Sequence, residues 1–180
     1  MILLSNHLLQ TKAITIDKDV VIRINIAWVR DEKQLKEYLD IPYTVFLDYP
    51  IGRKKPPVPS LTIDGVIKIM NGYDNVKFFA ISNSETYEGM KEVRDKLPKN
   101  ISLVPKIETK NGILNIERVI DGSEASYIML DREDLFSSLS SNNEAYIRLV
   151  KELKYRCEKM NIKIFELSGV IFDDNDRSVI

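Results

Sequence analysis

The feature that most constrains the fold is a regular alternation of short apolar runs with amphipathic stretches. Runs rich in Val, Ile and aromatic residues predict six strands, which begin at about residues 20, 43, 75, 101, 125 and 162. Most of these runs are apolar on both faces, as strands of a parallel sheet covered by helices are. Because stretches of helical periodicity separate them, the sequence predicts consecutive right-handed βαβ units.

The helical stretches are predicted from their apolar stripes, which cover about residues 31–39, 60–70, 87–97, 113–120 and 146–160. Two sequence patterns resemble capping boxes, in which a serine and a glutamate three residues later share the first turn. Ser82 with Glu85 predicts the start of the third helix, and Ser141 with Glu144 predicts the start of the last one.

Two architectures accept this alternation, a doubly wound open sheet and a (β/α) barrel. A complete eightfold barrel typically needs about 250 residues, whereas this chain has 180. Six strand and helix units are clear, and either "MILLSNHL" or "KAITI" near the start could supply a seventh strand. Without a Gly/Ser-rich linker or an internal repeat, we expect residues 1–180 to form a single domain, an incomplete or minimal α/β TIM-type barrel of six to seven units.

Charge and cysteine content exclude several classes of partner. The net charge is −1 and the isoelectric point is about 6.0, so no basic surface for nucleic acid or an anionic membrane is expected. Cys157 is the only cysteine and lies on an apolar helical stripe, which predicts a buried thiol and no disulfide. The first residues have neither a basic start nor a small-residue cleavage pattern, so we expect a cytoplasmic protein with no membrane partner.

The stretch "LVPKIETKNG" places chemistry at the end of a predicted strand. Residues two apart in a strand point to the same side, so Lys106 and Glu108 share a face. The next strand ends in "IMLDREDL", which would bring Asp134 to the same edge of the sheet. Two carboxylates from adjacent strands form an oxygen-rich site suited to Mg²⁺ or Mn²⁺. The same pattern also fits a strand-end ion pair, with Asp134 capping the following helix.

These segments resemble the barrel of the pyruvate kinase family. The segment "PKIETKNGILNIERVI" is similar to the family segment that carries the catalytic lysine and the first magnesium carboxylate. The segment "IMLDREDL" is similar to the one that carries the second carboxylate. The resemblance therefore implies that Lys106 is catalytic, that Glu108 and Asp134 bind Mg²⁺ or Mn²⁺, and that Arg132 contacts substrate.

Other strands resemble the same family in the same order. The segment "IRIN" implies that Arg23 takes part in catalysis by gripping a phosphate or carboxylate, with Asn25 binding substrate. The segment "FLDYPIGR" implies that Asp48 is a metal ligand at a K⁺ position, and "FFAIS" places Ser82 near substrate. The segment "IFELSGV" puts Ser168 where the family has a catalytic hydroxyl that relays a proton.

The sequence departs from the pyruvate kinase pattern in several places. The short "IGRKKPPVPSLT" stands where the family inserts its lid domain, and no counterpart of the regulatory domain or of the final barrel strand follows Ser168. Ala27 replaces a serine at the K⁺ position, and Glu133 replaces a glycine that meets the substrate carboxylate. The aldolase and citrate lyase family shares the Glu and Asp pair and an arginine strand like "VVIRINIAWV", but it lacks the lysine.

The resemblance implies Mg²⁺-dependent binding and conversion of a small 2-oxo acid or its enol phosphate, such as pyruvate, oxaloacetate or phosphoenolpyruvate. Without the lid, a lyase, an enolisation or a phosphoenolpyruvate-using transferase reaction is easier to accommodate than ATP formation. Two other hypotheses remain open. The chain could be a non-catalytic regulatory module, or an assembly protein whose open barrel edge is covered by a second copy or another chain.

Overall fold

Seven parallel strands follow one another around a curved sheet in chain order. The computed structural model describes residues 20–52 and 56–165, together with the backbone of residues 2–5 and of residue 166. The strands are β1 (Ile2–Ser5), β2 (Val20–Asn25), β3 (Thr44–Tyr49), β4 (Val76–Ile81), β5 (Ser102–Ile107), β6 (Tyr127–Leu130) and β7 (Lys163–Glu166). Each strand pairs in parallel with the next one along the chain, which makes this an incomplete α/β TIM-type barrel.

Helices connect the successive strands from β2 onward. They are α1 (Glu32–Leu39), α2 (Ile63–Met70), α3 (Tyr87–Lys96), α4 (Lys110–Leu114), α5 (Ile116–Ser123), α6 (Arg132–Ser138) and α7 (Asn143–Lys159), and a 3₁₀ turn at Ile26–Trp28 follows β2. Most begin at an Asp, Thr or Asn whose side chain accepts a hydrogen bond from a backbone N–H of the first turn. These caps satisfy donors that have no partner within the helix.

The two faces of the sheet bury different residues because strand side chains alternate. In β2, Ile22 and Ile24 pack in the large core beneath the helices. Val21 belongs to a second, smaller cluster on the inner face of the sheet. Arg23 and Asn25 continue that inner face toward the carboxyl end of β2. Polar residues at the ends of the strands therefore point into the barrel.

Aromatic rings fill the inner face below the strand ends. The ring centroids of Phe46 and Phe165 are 5.7 Å apart, and those of Phe78 and Phe165 are 5.5 Å apart, both in edge-to-face contacts. Tyr127 stacks on Phe165 with centroids 5.0 Å apart. Among the described strands, this packing fills the inner face beneath the polar residues with apolar groups.

Several sequence-based expectations about the elements are confirmed. The six predicted strands are present, and "MILLSNHL" supplies the seventh as β1, whereas "KAITI" lies outside the described residues. Cys157 is buried in α7, and burial raises the pKa of its thiol to about 11.

Among the described residues, no helix has the length and apolar character needed to cross a membrane.

Both predicted capping boxes are wrong. The helix expected to begin at Ser82 begins at Tyr87, where the side chain of Thr86 accepts the N–H of Gly89. Ser82 instead continues the inner face at the end of β4.

The last of these helices is capped by Asn142 and not by Ser141. Ser141 has a φ of 58°, which places it in the turn before the helix. The apolar stripe at 113–120 also divides into α4 and α5, because Asn115 interrupts the helical geometry between them.

At Gly122, α5 packs tightly against the backbone at the start of α3. A Cβ built at this buried position would lie 3.0 Å from Tyr87 Cα and closer still to the Tyr87 carbonyl oxygen. Since backbone atoms cannot rotate away, a side chain here must push the two helices apart.

We therefore expect Gly122→Ala to lower the free energy of unfolding by about 1–3 kcal/mol, measured by urea denaturation. Gly72→Ala is the matched control, because a Cβ there would lie 3.6 Å from its nearest neighbour, an ordinary contact. Equal unfolding midpoints for the two variants would contradict the close packing of α5 on α3.

Candidate functional site

A polar cavity of about 300 Å³ lies at the carboxyl ends of the strands. Its lining includes Arg23 from β2, Lys106 from β5 and Asp131 from the end of β6. These positions lie on the same inner face as Phe46 and Phe78 but nearer the strand ends. The alternation of side chains in each strand therefore collects charged groups from separate strands into one place.

Arg23 and Asp48 form a buried ion pair at the base of this site. Arg23 Nε donates to Asp48 Oδ2 at 3.0 Å, and its Nη2 makes a second, closer contact with the same oxygen. The Asp48 side chain is fully buried, and its Oδ1 accepts no hydrogen bond from the described residues. The ammonium group of Lys106 lies 3.5 Å from Oδ1, so attraction between the charges replaces a hydrogen bond there.

Lys106 is the central cation of the site. Its Nζ lies 2.8 Å from Glu108 Oε1 and 3.8 Å from Asp131 Oδ2, and it donates to Ser82 Oγ at 3.4 Å. Burial alone lowers the pKa of Lys106, but attraction to Asp48 and Glu108 and the hydrogen bond to Glu108 outweigh it. The pKa therefore lies above its ordinary value, and the group is an ammonium ion at neutral pH.

Three carboxylates converge beside Lys106. One oxygen each from Glu108, Asp131 and Asp134 lies within 4.8 Å of the others. Glu108 is buried, Asp131 is half-buried and Asp134 is exposed. Glu108 follows β5, whereas the two aspartates lie at and just after the end of β6. The cluster therefore combines one buried carboxylate, just after the end of β5, with two carboxylates that solvent can reach.

Asp131 is the main residue that the sequence analysis missed. It caps α6, because its Oδ1 accepts the N–H of Asp134 at 3.3 Å. The alternative in which Asp134 caps this helix is therefore wrong. The signal for Asp131 was present, since it is the first residue after the apolar run "YIML" and such positions meet at the barrel rim.

Most of the predicted site residues lie around the cavity. The structure brings together on its lining Arg23, Asn25, Ser82, Lys106, Glu108 and Asp134. The cavity lining also includes Pro50, Ile51, Asn83, Thr109 and Ser138, which the sequence analysis did not select.

Three predicted site residues have other surroundings. Arg132 begins α6, is exposed and is not part of the cavity lining. Asp48 lies beneath the cavity with two protein cations as partners, which leaves the K⁺ role implied by the resemblance without support. Ser168 lies outside the described residues.

The three-carboxylate cluster suits a hard divalent cation. Metal–oxygen distances of about 2.1 Å place neighbouring ligand oxygens of one octahedron roughly 3 Å apart. The oxygens lie within 4.8 Å of one another, so they would come closer together on binding an ion. The charges also fit, because Asp48 and the three clustered carboxylates outnumber Arg23 and Lys106 by two.

The Asp48 carboxylate is the buried charge whose removal we expect to be most costly. Replacing it by an amide in Asp48→Asn leaves Arg23 and Lys106 close together without their shared counterion. We expect the free energy of unfolding to fall by about 3–5 kcal/mol in urea denaturation. Glu37→Gln breaks the exposed pair with Lys33 and should change stability by less than about 1 kcal/mol. Similar losses in both variants would contradict a stabilising role for the buried pair.

Comparisons with known proteins relate the chain to others by its fold. No protein-family model matches it, and no curated protein matches it. Citrate synthase SbnG matches with a TM-score of 0.53 and 11% identity, over 96% of this chain and 84% of that one. Macrophomate synthase matches with a TM-score of 0.62 and 11% identity, over 81% of this chain and 62% of that one. This chain thus corresponds to less than two thirds of macrophomate synthase, and the likeness shows a shared TIM-type fold.

Proposed function

We propose that the chain binds Mg²⁺ or Mn²⁺ through Glu108, Asp131 and Asp134 and uses it to bind and convert a small 2-oxo acid. The observation that carries this proposal is the convergence of three carboxylates beside a buried ammonium group at the strand ends. The resemblance of the sequence to pyruvate kinases and to aldolases supports the same chemistry. Both structural neighbours are synthases by name, which favours a lyase or carbon–carbon bond-forming reaction over phosphoryl transfer.

A divalent ion at this site would act as a Lewis acid toward the carboxylate and carbonyl oxygens of pyruvate or oxaloacetate. Lys106 places a fixed positive charge beside the same cavity, where it stabilises negative charge that develops on the substrate. Its ammonium group is held by Glu108 and Asp48. It therefore acts as a charge and not as the neutral amine that attacks a carbonyl group to form a Schiff base.

Arg23 has a more restricted role than the resemblance implies. Its guanidinium group is already bound to Asp48 through Nε and Nη2. Because a guanidinium group carries five N–H donors, Arg23 can still donate to a substrate oxygen while it remains in the ion pair. We propose that Arg23 orients the carboxylate of the substrate at the wall of the cavity, with Asn25 and Ser82 as neighbouring polar contacts.

The size of the cavity favours a small acid over a nucleotide. A volume of about 300 Å³ lies at the lower end of the range for ligand pockets. Both cations of the described cavity wall are also paired with carboxylates, which disfavours a phosphorylated ligand relative to pyruvate or oxaloacetate. ATP-forming pyruvate kinase activity is therefore the least supported of the reactions that the sequence resemblance implies.

A non-catalytic binding module is the second candidate, and one observation favours it. Asp131 adds a third carboxylate to the cluster, so a substrate anion meets more negative charge than the two predicted ligands would present. Such a site would hold a cation without turning over an acid.

Three further expectations stay predictions: assembly with a second copy along the sheet edge, a proton relay by Ser168, and a single domain over residues 1–180.

The proposed metal site predicts that each of its three carboxylates contributes to Mn²⁺ affinity. Glu108→Gln, Asp131→Asn and Asp134→Asn should each weaken Mn²⁺ binding by about tenfold or more in isothermal titration, because each removes one charged ligand. Glu133→Gln is the matched control, since Glu133 lies on the same helix and outside the cluster. Unchanged affinity in all three variants would contradict the site.

The role of Lys106 separates the enzyme from the binding module. Exchange of the pyruvate methyl protons, followed by NMR in deuterated water with Mg²⁺, reports enolisation without a second substrate. We expect exchange by the wild-type protein to fall by about a hundredfold or more in Lys106→Met while pyruvate still binds. Lys110→Met, at an exposed position on the next helix, should keep the wild-type rate. Saturable pyruvate binding without exchange by the wild-type protein would instead support the module.

A further inference from the structure

We propose that Asn83 is a positioning residue that connects the turn after β3 to the metal-binding carboxylate of Glu108. The inference rests on the proposed function, because it concerns how the ligand Glu108 is held. The sequence resemblance assigns no role to Asn83, which follows Ser82 immediately after β4. With Asn83, the site includes not only the side chains that bind a ligand but also a backbone group that orients one of them.

The first observation is that both oxygens of Glu108 have a partner. Oε1 lies 2.8 Å from Nζ of Lys106, which belongs to β5. Oε2 accepts the backbone N–H of Asn83 at 3.0 Å, from the neighbouring turn. Two contacts from different directions fix the plane of the carboxylate group. Because each carboxylate oxygen has two lone pairs, Glu108 can keep these contacts and still accept a metal ion.

The second observation is the backbone conformation that aims this N–H. Asn83 has a φ of 55°, in the left-handed region where asparagine is tolerated better than other non-glycine residues. The peptide plane that carries this N–H rotates about the N–Cα bond of Asn83, so φ relates the direction of the N–H to the course of the chain that follows. With the following loop in its present position, a residue that returned to negative φ would turn the N–H away from Glu108.

The third observation is the contact of the Asn83 side chain with the turn after β3. Asn83 Nδ2 donates to the carbonyl oxygen of Ile51 at 2.6 Å. Gly52, with a φ of 72°, allows this approach, because a Cβ there would lie 3.2 Å from the same nitrogen. Ser82 N also donates to the carbonyl oxygen of Tyr49, the last residue of β3, at 3.3 Å, so two hydrogen bonds join the segment after β4 to the end of β3 and its turn.

The arrangement links one wall of the cavity to the metal ligand. Ile51 and Asn83 both line the cavity beside Glu108. A shift of the turn after β3 would therefore move Asn83, and with it the N–H that holds Glu108. The backbone of Asn83 orients the carboxylate, and its side chain holds the turn after β3 in place.

Three variants distinguish the orienting function of the Asn83 backbone and the contact made by its side chain from a general effect of replacing an asparagine that has positive φ. Asn83→Val disfavours positive φ and removes the side-chain amide, whereas Asn83→Gly keeps positive φ accessible and removes only the amide. Asn161→Val is the matched control, because Asn161 has the same φ of 55° at the opposite end of the barrel, before β7.

Mn²⁺ affinity tests the orienting function. We expect Asn83→Val to weaken binding by about tenfold or more, as loss of a ligand's hydrogen-bond partner typically does. Asn83→Gly and Asn161→Val should stay within about threefold of the wild-type protein, with urea midpoints showing that all variants are folded. Equal affinity in Asn83→Val and the wild-type protein, or equal losses in both valine variants, would overturn this function.

Hydrogen exchange tests the link to the turn after β3 without a metal ion. We expect faster amide exchange at Tyr49, Ile51 and Gly52 in both Asn83 variants than in the wild-type protein and in Asn161→Val. Equal exchange in all four proteins would overturn the link. A wild-type protein that binds no Mn²⁺ would overturn the proposed function and the orienting role together, and the exchange result would then judge the link by itself.

Discussion

The arrangement of the site depends on the buried contact between the Lys106 ammonium group and its surrounding carboxylates. A lysine taken out of water is costly unless negative groups compensate it. Here Asp48 lies beneath the ammonium group, and Glu108 lies beside it, just after the end of β5. Arg23 in turn binds the far side of Asp48. Each buried charge is therefore compensated by a neighbouring charge of opposite sign. Together these ion pairs fix the positions of the carboxylates that could bind a cation at the strand ends.

The fold was largely predictable because its main signal is local. Runs that are apolar on both faces predict buried parallel strands, and all six predicted runs form strands in chain order. The helix starts were less predictable. A serine followed by a glutamate three residues later fits many turns, and Thr86 and Asn142 serve as the caps instead. Which residue caps a helix depends on the direction in which the chain leaves the preceding strand or turn, and that direction is set by tertiary packing.

The candidate site was predictable where spacing alone decides the geometry. Lys106 and Glu108 share a face because they lie two apart at the end of β5, and the end of the next predicted strand brought Asp134 to the same edge. Asp131 was missed because strand-end aspartates usually serve as helix caps, and this one also caps a helix. Asn83 could not be found from spacing, because its contact with Glu108 depends on a backbone angle in the turn between β4 and α3.

The aromatic packing inside the barrel explains why these charges act strongly on one another. Phe46 lies two residues before Asp48 on the inner face of β3, so the buried carboxylate lies directly above an apolar layer. Water is excluded from below, and interactions between charges weaken less in such surroundings than in bulk water. Within the carboxylate cluster, Glu108 is buried, Asp131 is half-buried and Asp134 is exposed. A cation that arrives from solvent would thus meet the accessible Asp134 first and the buried Glu108 last. The site has this depth because side chains alternate along the strands, which turns the charged residues at the strand ends toward the inner face.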